Sequence, residues 1–104
     1  MRRGEIWWAE LNQPAGRRPV VLLSRYDAYD VRALIIVAPV TTRIRNISSE
    51  VSLGVADGLP QACVANLDTI TTIPKGCLRS RLSILSMKKL QELEEAIRFA
   101  LGME

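Results

Sequence analysis

Short apolar runs follow one another along most of the chain, and each has the length of a β-strand. The runs are rich in β-branched and aromatic residues or alternate polar with apolar positions, and turn-forming residues separate them. They are GEIWWAEL (4–11), RPVVLLS (18–24), ALIIVAPV (33–40), SEVSL (49–53), GLPQACVANLDTITTIP (58–74) and CLRSRLSILS (77–86). This pattern predicts five or six strands.

The periodicity changes to that of an amphipathic helix after Ser86. Ser86 is suited to cap the helix, Gly102 is suited to end it, and Glu94 with Arg98 forms a favourable pair four residues apart. The apolar residues that we expect to face the core are Met87, Leu90, Leu93, Ile97, Ala100 and Leu101. The chain is therefore predicted to end in one amphipathic helix.

The order of the elements, strands first and a helix last, predicts how they pack. Many short strands in a small chain have to bend around one core to hide their edges. We therefore expect a mainly β fold with minor α content, a small twisted barrel covered on one side by the C-terminal helix. At 104 residues, without a linker or an internal repeat, the chain is expected to form a single domain spanning 1–104.

Composition narrows the class of protein. The apolar fraction of 48% and charged fraction of 24% are typical of a globular domain. The apolar runs are far shorter than the roughly 20 residues of a membrane span, and no signal peptide is apparent, so we expect a cytoplasmic protein without a membrane partner. Cys63 and Cys77 do not have the spacing of a zinc or redox site, and the chain has no histidine. We therefore expect no metal and no other cofactor.

Positive charge is concentrated at the start of the chain. The first 45 residues hold eight arginines, four acidic residues and no lysine, whereas the whole chain has a net charge of +3. Arginine suits multidentate contacts with phosphates and base edges. Charge alone would nevertheless favour a merely solvated surface.

Five stretches that cover nearly the whole chain, taken together in their order and spacing, indicate a protein family. They are RRGEIWWAEL (2–11), GRRPVVLL (16–23), VAPVTTRIRNISSEV (37–51), GLPQACVANLDTITTIPKGCL (58–78) and RLSILS (81–86). In this order and spacing they resemble the MazF/PemK family of toxin endoribonucleases, most specifically in the arginine–proline opening of the second strand and the PVTT of the third. The resemblance implies an SH3-like or CcdB-like barrel, a homodimer, metal-independent cleavage of single-stranded RNA, and inhibition by a cognate MazE-like antitoxin.

The resemblance also implies catalytic residues. Arg18 matches the family's catalytic arginine and Thr41 its catalytic threonine. A guanidinium held next to Pro19 is preorganised to grip phosphate oxygens, and a threonine hydroxyl can donate a hydrogen bond to the same phosphate. Asp68 aligns with an acidic position that some members use, although Asn66 stands where some relatives carry arginine. Because arginine holds its proton in proteins, the general base stays unassigned.

Four further residues are candidates for RNA binding. Arg17 precedes the catalytic arginine, and Arg43 and Arg45 flank the loop after the threonine, where they can meet phosphates or simply be solvated. Trp7 and Trp8 alternate on a strand, so we expect one of them to pack in the core. The other, which we assign as Trp8, is expected to stack on a base or to be buried in a dimer.

The composition also predicts the chemistry. Without histidine or a metal site, the nucleophile is expected to be the RNA's own 2′-hydroxyl, which yields 2′,3′-cyclic phosphate and 5′-hydroxyl ends. Messenger RNA is the expected substrate, with transfer and ribosomal RNA as further candidates. Two alternatives remain: a CcdB-type gyrase poison, which the C-terminal GME disfavours because such proteins end in a tryptophan-containing tripeptide, and a noncatalytic RNA-binding barrel.

Overall fold

The computed structural model describes residues 1–14 and 16–103. Within these residues the chain forms seven β-strands, a short helix between the second and third strands, and a long C-terminal helix. The elements are β1 (Glu5–Glu10), β2 (Arg17–Leu22), α1 (Ala28–Val31), β3 (Leu34–Thr41), β4 (Glu50–Leu53), β5 (Cys63–Asn66), β6 (Thr71–Pro74), β7 (Leu78–Ile84) and α2 (Met87–Leu101). The predicted mainly β fold with a C-terminal helix is confirmed.

The sheet curls because its central strand, β3, pairs with different strands along its length. The strand order is β4-β5-β3-β2-β1-β7, with antiparallel pairing throughout. The first half of β3 pairs with β6, where Ile35 lies opposite Ile73, and its last residues pair with β5, where Val40 lies opposite Ala65. The result is a curled half-barrel that encloses a core on each face of its central strands.

The two core clusters follow from the alternation of side chains along these strands. On β2, Val21 packs in a cluster with Leu93 of α2, whereas Val20 and Leu22 pack in the other cluster with Tyr29. Both faces of β2 and β3 are therefore covered, which explains their nearly continuous apolar runs.

The segment 58–74 forms two strands where the sequence pattern predicted a single β-prone segment. A 3₁₀ turn at Leu67–Thr69 separates β5 from β6, and the Asn66 side chain caps it by accepting the backbone N–H of Asp68 at 3.0 Å. Such a local side-chain bond competes with the sheet ladder and ends the strand. The count of five or six strands was therefore too low.

Helix α2 begins and ends as predicted. The Ser86 side chain accepts the backbone N–H of Lys89 at 3.2 Å, and Gly102 adopts a left-handed φ of 69°. Leu93 is buried, but Met87 and Leu101 are 74% and 59% exposed, so the apolar stripe is core only in its middle.

Two further features bear on the sequence predictions. Glu94 forms an ion pair with Arg3 at 3.7 Å, and not the expected pair with Arg98. No helix among the described residues is both long and apolar enough to span a membrane.

Candidate active site

The pairing of β2 with β3 brings Arg18 and Thr41 together. Val20 lies opposite Pro39 in this antiparallel pair. Arg18 precedes Val20 by two residues and Thr41 follows Pro39 by two, so the alternation of side chains along each strand directs both to the face that this pair occupies. Both side chains line one cleft. The expectation that they lie at neighbouring strand ends is thus confirmed.

The cleft is an open depression of about 490 Å³. Its described lining residues come from the β1–β2 loop, β2, β3, the loop after β3, and the β5–β6 region. They are Leu11, Arg18, Pro39, Thr41, Arg43, Arg45, Asn66, Thr69 and Thr71. The charged members of this set are three arginines, and the other polar members carry hydroxyl or amide groups. Such a lining attracts a polyanion and offers it several hydrogen-bond donors.

The loop after β3 is held in place by Glu50, a residue that the sequence analysis did not single out. The Glu50 carboxylate accepts the backbone N–H groups of Arg45 and Asn46 at 2.9 and 3.1 Å, and it accepts the Arg45 Nε–H at 2.8 Å. Asn46 has a left-handed φ of 56°, which asparagine tolerates better than most residues. The turn therefore wraps closely around one carboxylate.

The environment of Glu50 keeps it ionised. Its side chain is only 2% exposed, whereas that of Arg45 is 42% exposed. Burial by itself would raise the pKa of Glu50, but the hydrogen bonds from Arg45 and Asn46 outweigh it and lower the pKa below its ordinary value. Glu50 can therefore fix the Arg45 guanidinium at the cleft while that guanidinium stays accessible to a ligand.

The Thr41 hydroxyl is oriented by the same loop. Its Oγ1 accepts the backbone N–H of Arg43 at 3.2 Å. A hydroxyl that accepts one hydrogen bond still has its own proton to donate. Thr41 can therefore donate to a phosphate in the cleft while the backbone of Arg43 restrains its rotation.

Asp68, the third predicted catalytic residue, lies in the 3₁₀ turn after β5 and is not among the described residues that line the cleft. Its carboxylate accepts a short hydrogen bond from the hydroxyl of Ser49, which is buried. Its neighbours Asn66 and Thr69 line the cleft in its place. The described lining of the cleft therefore includes Arg18, Thr41 and Asn66, whereas Asp68 lies in the adjoining turn and bonds to Ser49.

Arg17 and Trp8 form a pair beside the cleft. The guanidinium carbon of Arg17 lies 4.9 Å from the centroid of the Trp8 ring, within the range of a cation–π contact. Trp7 packs against the core cluster that contains Tyr29, and its Nε1–H donates to Glu5 Oε1 at 2.9 Å. The expectation that one of the two tryptophans packs in the core is confirmed for Trp7.

Within the described residues, no group of three or more histidine, cysteine, aspartate or glutamate side chains converges in a way that could hold a metal ion. Cys63 and Cys77 are free thiols, and burial raises the pKa of Cys63. The described polar side chains that line the cleft belong to arginine, threonine and asparagine residues.

The fold and the cleft define the class of protein to which the chain belongs. It is a small, curled, antiparallel barrel with an arginine-lined cleft at its strand ends. Residues 2–101 match the family model of PemK-like, MazF-like toxins of type II toxin–antitoxin systems, and the chain belongs to this family.

Individual relatives agree with this membership. The chain is 37% identical over 103 residues to a probable endoribonuclease MazF2 of Mycobacterium tuberculosis, and the match covers 98% of this chain and 99% of that protein. It superposes on the Mycobacterium tuberculosis toxin MazF-mt6 with a TM-score of 0.88 and 31% identity, covering 96% of this chain and 98% of the other. A mycobacterial endoribonuclease solved in complex with its cognate antitoxin matches with a TM-score of 0.88 and 25% identity, covering 100% and 97%.

Proposed function

We propose that this chain is a single toxin domain, spanning 1–104, that cleaves single-stranded RNA without a metal ion. The observation that carries the proposal is the juxtaposition of Arg18 and Thr41 in a cleft whose described charged residues are arginines. The relatives named as endoribonucleases support the same activity. Messenger RNA is the primary substrate, and transfer and ribosomal RNA are further candidates.

The reaction begins with attack by the RNA's own 2′-hydroxyl on the adjacent phosphorus. The new bond joins the 2′-oxygen to phosphorus, the bond from phosphorus to the 5′-oxygen breaks, and the products are a 2′,3′-cyclic phosphate and a 5′-hydroxyl. The 2′-hydroxyl loses one proton and the departing 5′-oxygen gains one, so the reaction needs no external water or oxidant. The group that takes the first proton is left unassigned.

Arg18 and Thr41 act on the charge that develops in this reaction. The phosphorane carries more negative charge than the starting phosphate, and donors that are already in place stabilise it with little reorganisation. The planar guanidinium of Arg18 is suited to two nonbridging oxygens, and the Thr41 hydroxyl adds one further donor. Arg43 and Arg45 hold the neighbouring phosphates, and Arg17 with Trp8 extends the surface beyond the cleft.

Two protein partners complete the proposal. The first is a cognate MazE-like antitoxin, expected to lay an acidic or extended segment across the arginines of the cleft, and we expect its reading frame to lie beside this gene. The second is another copy of this chain. A groove between α2 and β3 is lined by the exposed apolar residues Ile36, Leu101 and Met103, and it supports a homodimer. We place the toxin in the cytoplasm, with its RNA substrate.

The experiment that tests the proposed function is incubation of the purified protein with labelled total RNA in excess EDTA. We expect discrete cuts with 5′-hydroxyl ends from the wild type and none from Arg18→Ala. RNA that stays intact while the protein inhibits gyrase would favour the gyrase-poison alternative. RNA that is bound but never cut would favour the noncatalytic barrel.

A further inference from the structure

A second, smaller pocket adjoins the cleft, and Thr41 lines both. It has a volume of about 110 Å³. Its floor is apolar and buried, formed by Val40, Leu59 and Cys63, and Trp8 and Gln61 stand at its rim. We refer to it as the Trp8 pocket.

The strand geometry explains why the pocket and the cleft are so close. Successive residues of a strand point to opposite faces, so Arg18 lines the cleft whereas its neighbour Pro19, which lies opposite Trp8, lines the Trp8 pocket. Thr41, at the end of β3, lines both. A ligand whose phosphate is held at Arg18 and Thr41 can therefore reach around the strand end into the pocket.

The chemistry of the Trp8 pocket suits an unpaired base. A nucleobase has a flat apolar face and a polar edge. The pocket offers an indole and buried apolar side chains to the face, and the exposed amide of Gln61, which can both donate and accept hydrogen bonds, to the edge. The stacking of Arg17 on Trp8 holds the indole and adds a cation beside the neighbouring phosphate.

The size of the pocket selects among the bases. An apolar cavity of about 150 Å³ in a protein core accommodates one benzene ring. The Trp8 pocket, at about 110 Å³ and open at its mouth, is of the size of one six-membered ring. Because the pocket is smaller than that cavity but open, a single-ring pyrimidine can enter it with its polar edge at the mouth, whereas the fused rings of a purine leave more of the base outside.

We propose that the Trp8 pocket binds one pyrimidine base of the RNA, that of a nucleotide flanking the cleaved phosphate, and that Gln61 reads its edge. This inference rests on the proposed function and deepens it, because it assigns a source of sequence preference. An apolar side chain of a protein partner is the competing occupant. The continuity of the pocket with the arginine-lined cleft through Thr41 favours the nucleotide.

The first test maps the 5′-hydroxyl ends that the protein produces from total RNA in EDTA. We expect a pyrimidine at one of the two positions that flank the cut. We also expect Gln61→Ala to weaken the discrimination between uracil and cytosine there by about tenfold, while Gln91→Ala, an exposed glutamine on α2, leaves it unchanged. A purine at both positions, or an unchanged preference in Gln61→Ala, overturns the proposal.

The second test measures RNA binding. It therefore tests whether a base occupies the Trp8 pocket even if no RNA is cut and the proposed function fails. A single-stranded oligonucleotide that carries 2′-deoxyribose at the flanking positions is compared with one that has an abasic site at one of them. We expect the abasic oligonucleotide to bind about tenfold more weakly to the wild type, and the difference to shrink in Trp8→Leu. Equal affinity of the wild type for the two oligonucleotides overturns the proposal. So does a Trp8→Leu or Gln61→Ala variant that no longer binds the antitoxin but binds RNA as the wild type does.

Discussion

Arg45, at the edge of the cleft, is hydrogen-bonded to Glu50 through both its backbone and its side chain. Arg45 donates its Nε–H to Glu50 Oε2 at 2.8 Å and its backbone N–H to Oε1 at 2.9 Å, and the carboxylate that receives both is almost completely buried. A buried carboxylate with several charge-assisted bonds holds its partners in one geometry. The arginine that we assign to RNA phosphate is therefore positioned by a residue that need not touch RNA itself.

Substituting Glu50 tests this positioning role. We expect Glu50→Gln to lower the free energy of unfolding by about 1–3 kcal/mol, since a neutral amide replaces an acceptor of charge-assisted bonds, and to weaken RNA binding more than it changes the cleavage rate of bound RNA. Chemical denaturation and single-turnover kinetics measure the two effects. Glu95→Gln, on the exposed surface of α2, is the matched control. A variant with unchanged RNA affinity would show that Glu50 supports only the fold.

The pH dependence of stability follows from the same carboxylate. The folded-state pKa of Glu50 lies below its ordinary value, so its contribution is fully present above the ordinary value and is lost as the pH falls through the lowered one. We expect the wild type to lose stability through this acidic range and Glu50→Gln to lose less. Thermal unfolding measured from neutral to acidic pH compares the two proteins. Parallel curves would contradict the assignment.

Arg18→Ala is expected to fold with a thermal midpoint close to that of the wild type and to lose cleavage by a factor of about 10²–10³. The reason is that the guanidinium contributes most where charge develops on the phosphorane. Arg18→Lys should rescue poorly, because a point charge cannot reproduce the planar fork. Rates on a labelled oligonucleotide provide the measurement. Cleavage by the alanine variant at the wild-type rate would remove Arg18 from the mechanism.

Thr41→Val keeps the shape of the side chain and removes its hydroxyl. We expect cleavage of bound RNA to slow by about 10–100-fold, the equivalent of one hydrogen bond to a charged group, while RNA affinity changes little. The measurement is single-turnover cleavage at saturating protein. Thr72→Val, an exposed threonine of β6 outside the described cleft lining, is the control. A loss of affinity without a loss of rate would assign Thr41 to binding alone.

Replacing the single ribose 5′ of the cut with deoxyribose should abolish cleavage and leave binding nearly intact, because most affinity comes from phosphates and stacking. EDTA should have no effect. The measurements are product analysis by denaturing gel and affinity by fluorescence anisotropy. Cleavage of the substituted oligonucleotide at the same bond, or a requirement for added magnesium, would contradict the mechanism in which the 2′-hydroxyl attacks.

Local patterns in the sequence were sufficient for the order of the elements, strands first and a helix last, and for the C-terminal helix, and the family resemblance supplied part of the site. Strand and helix periods are set by neighbours along the chain, so the bounds of α2, with Ser86 as its cap and Gly102 at its end, could be predicted directly. Arg18 and Thr41 were singled out by the family resemblance of the motifs that contain them, and the antiparallel packing of β2 on β3 then places both in the lining of one cleft.

Only the tertiary structure decided which distant residues meet. The sequence carries no sign that Glu50 would bind the Arg45 turn, that Asp68 would bond to Ser49 outside the cleft lining, or that Arg17 would stack on Trp8. The split pairing of β3 with β5 and β6 likewise depends on a turn within 58–74 that the β-prone composition concealed. These contacts join segments whose separation is set by the register and curl of the sheet. A side-chain period of two or 3.6 residues predicts which residues share one face of a strand or helix. It does not predict which other strand or helix will pack against that face.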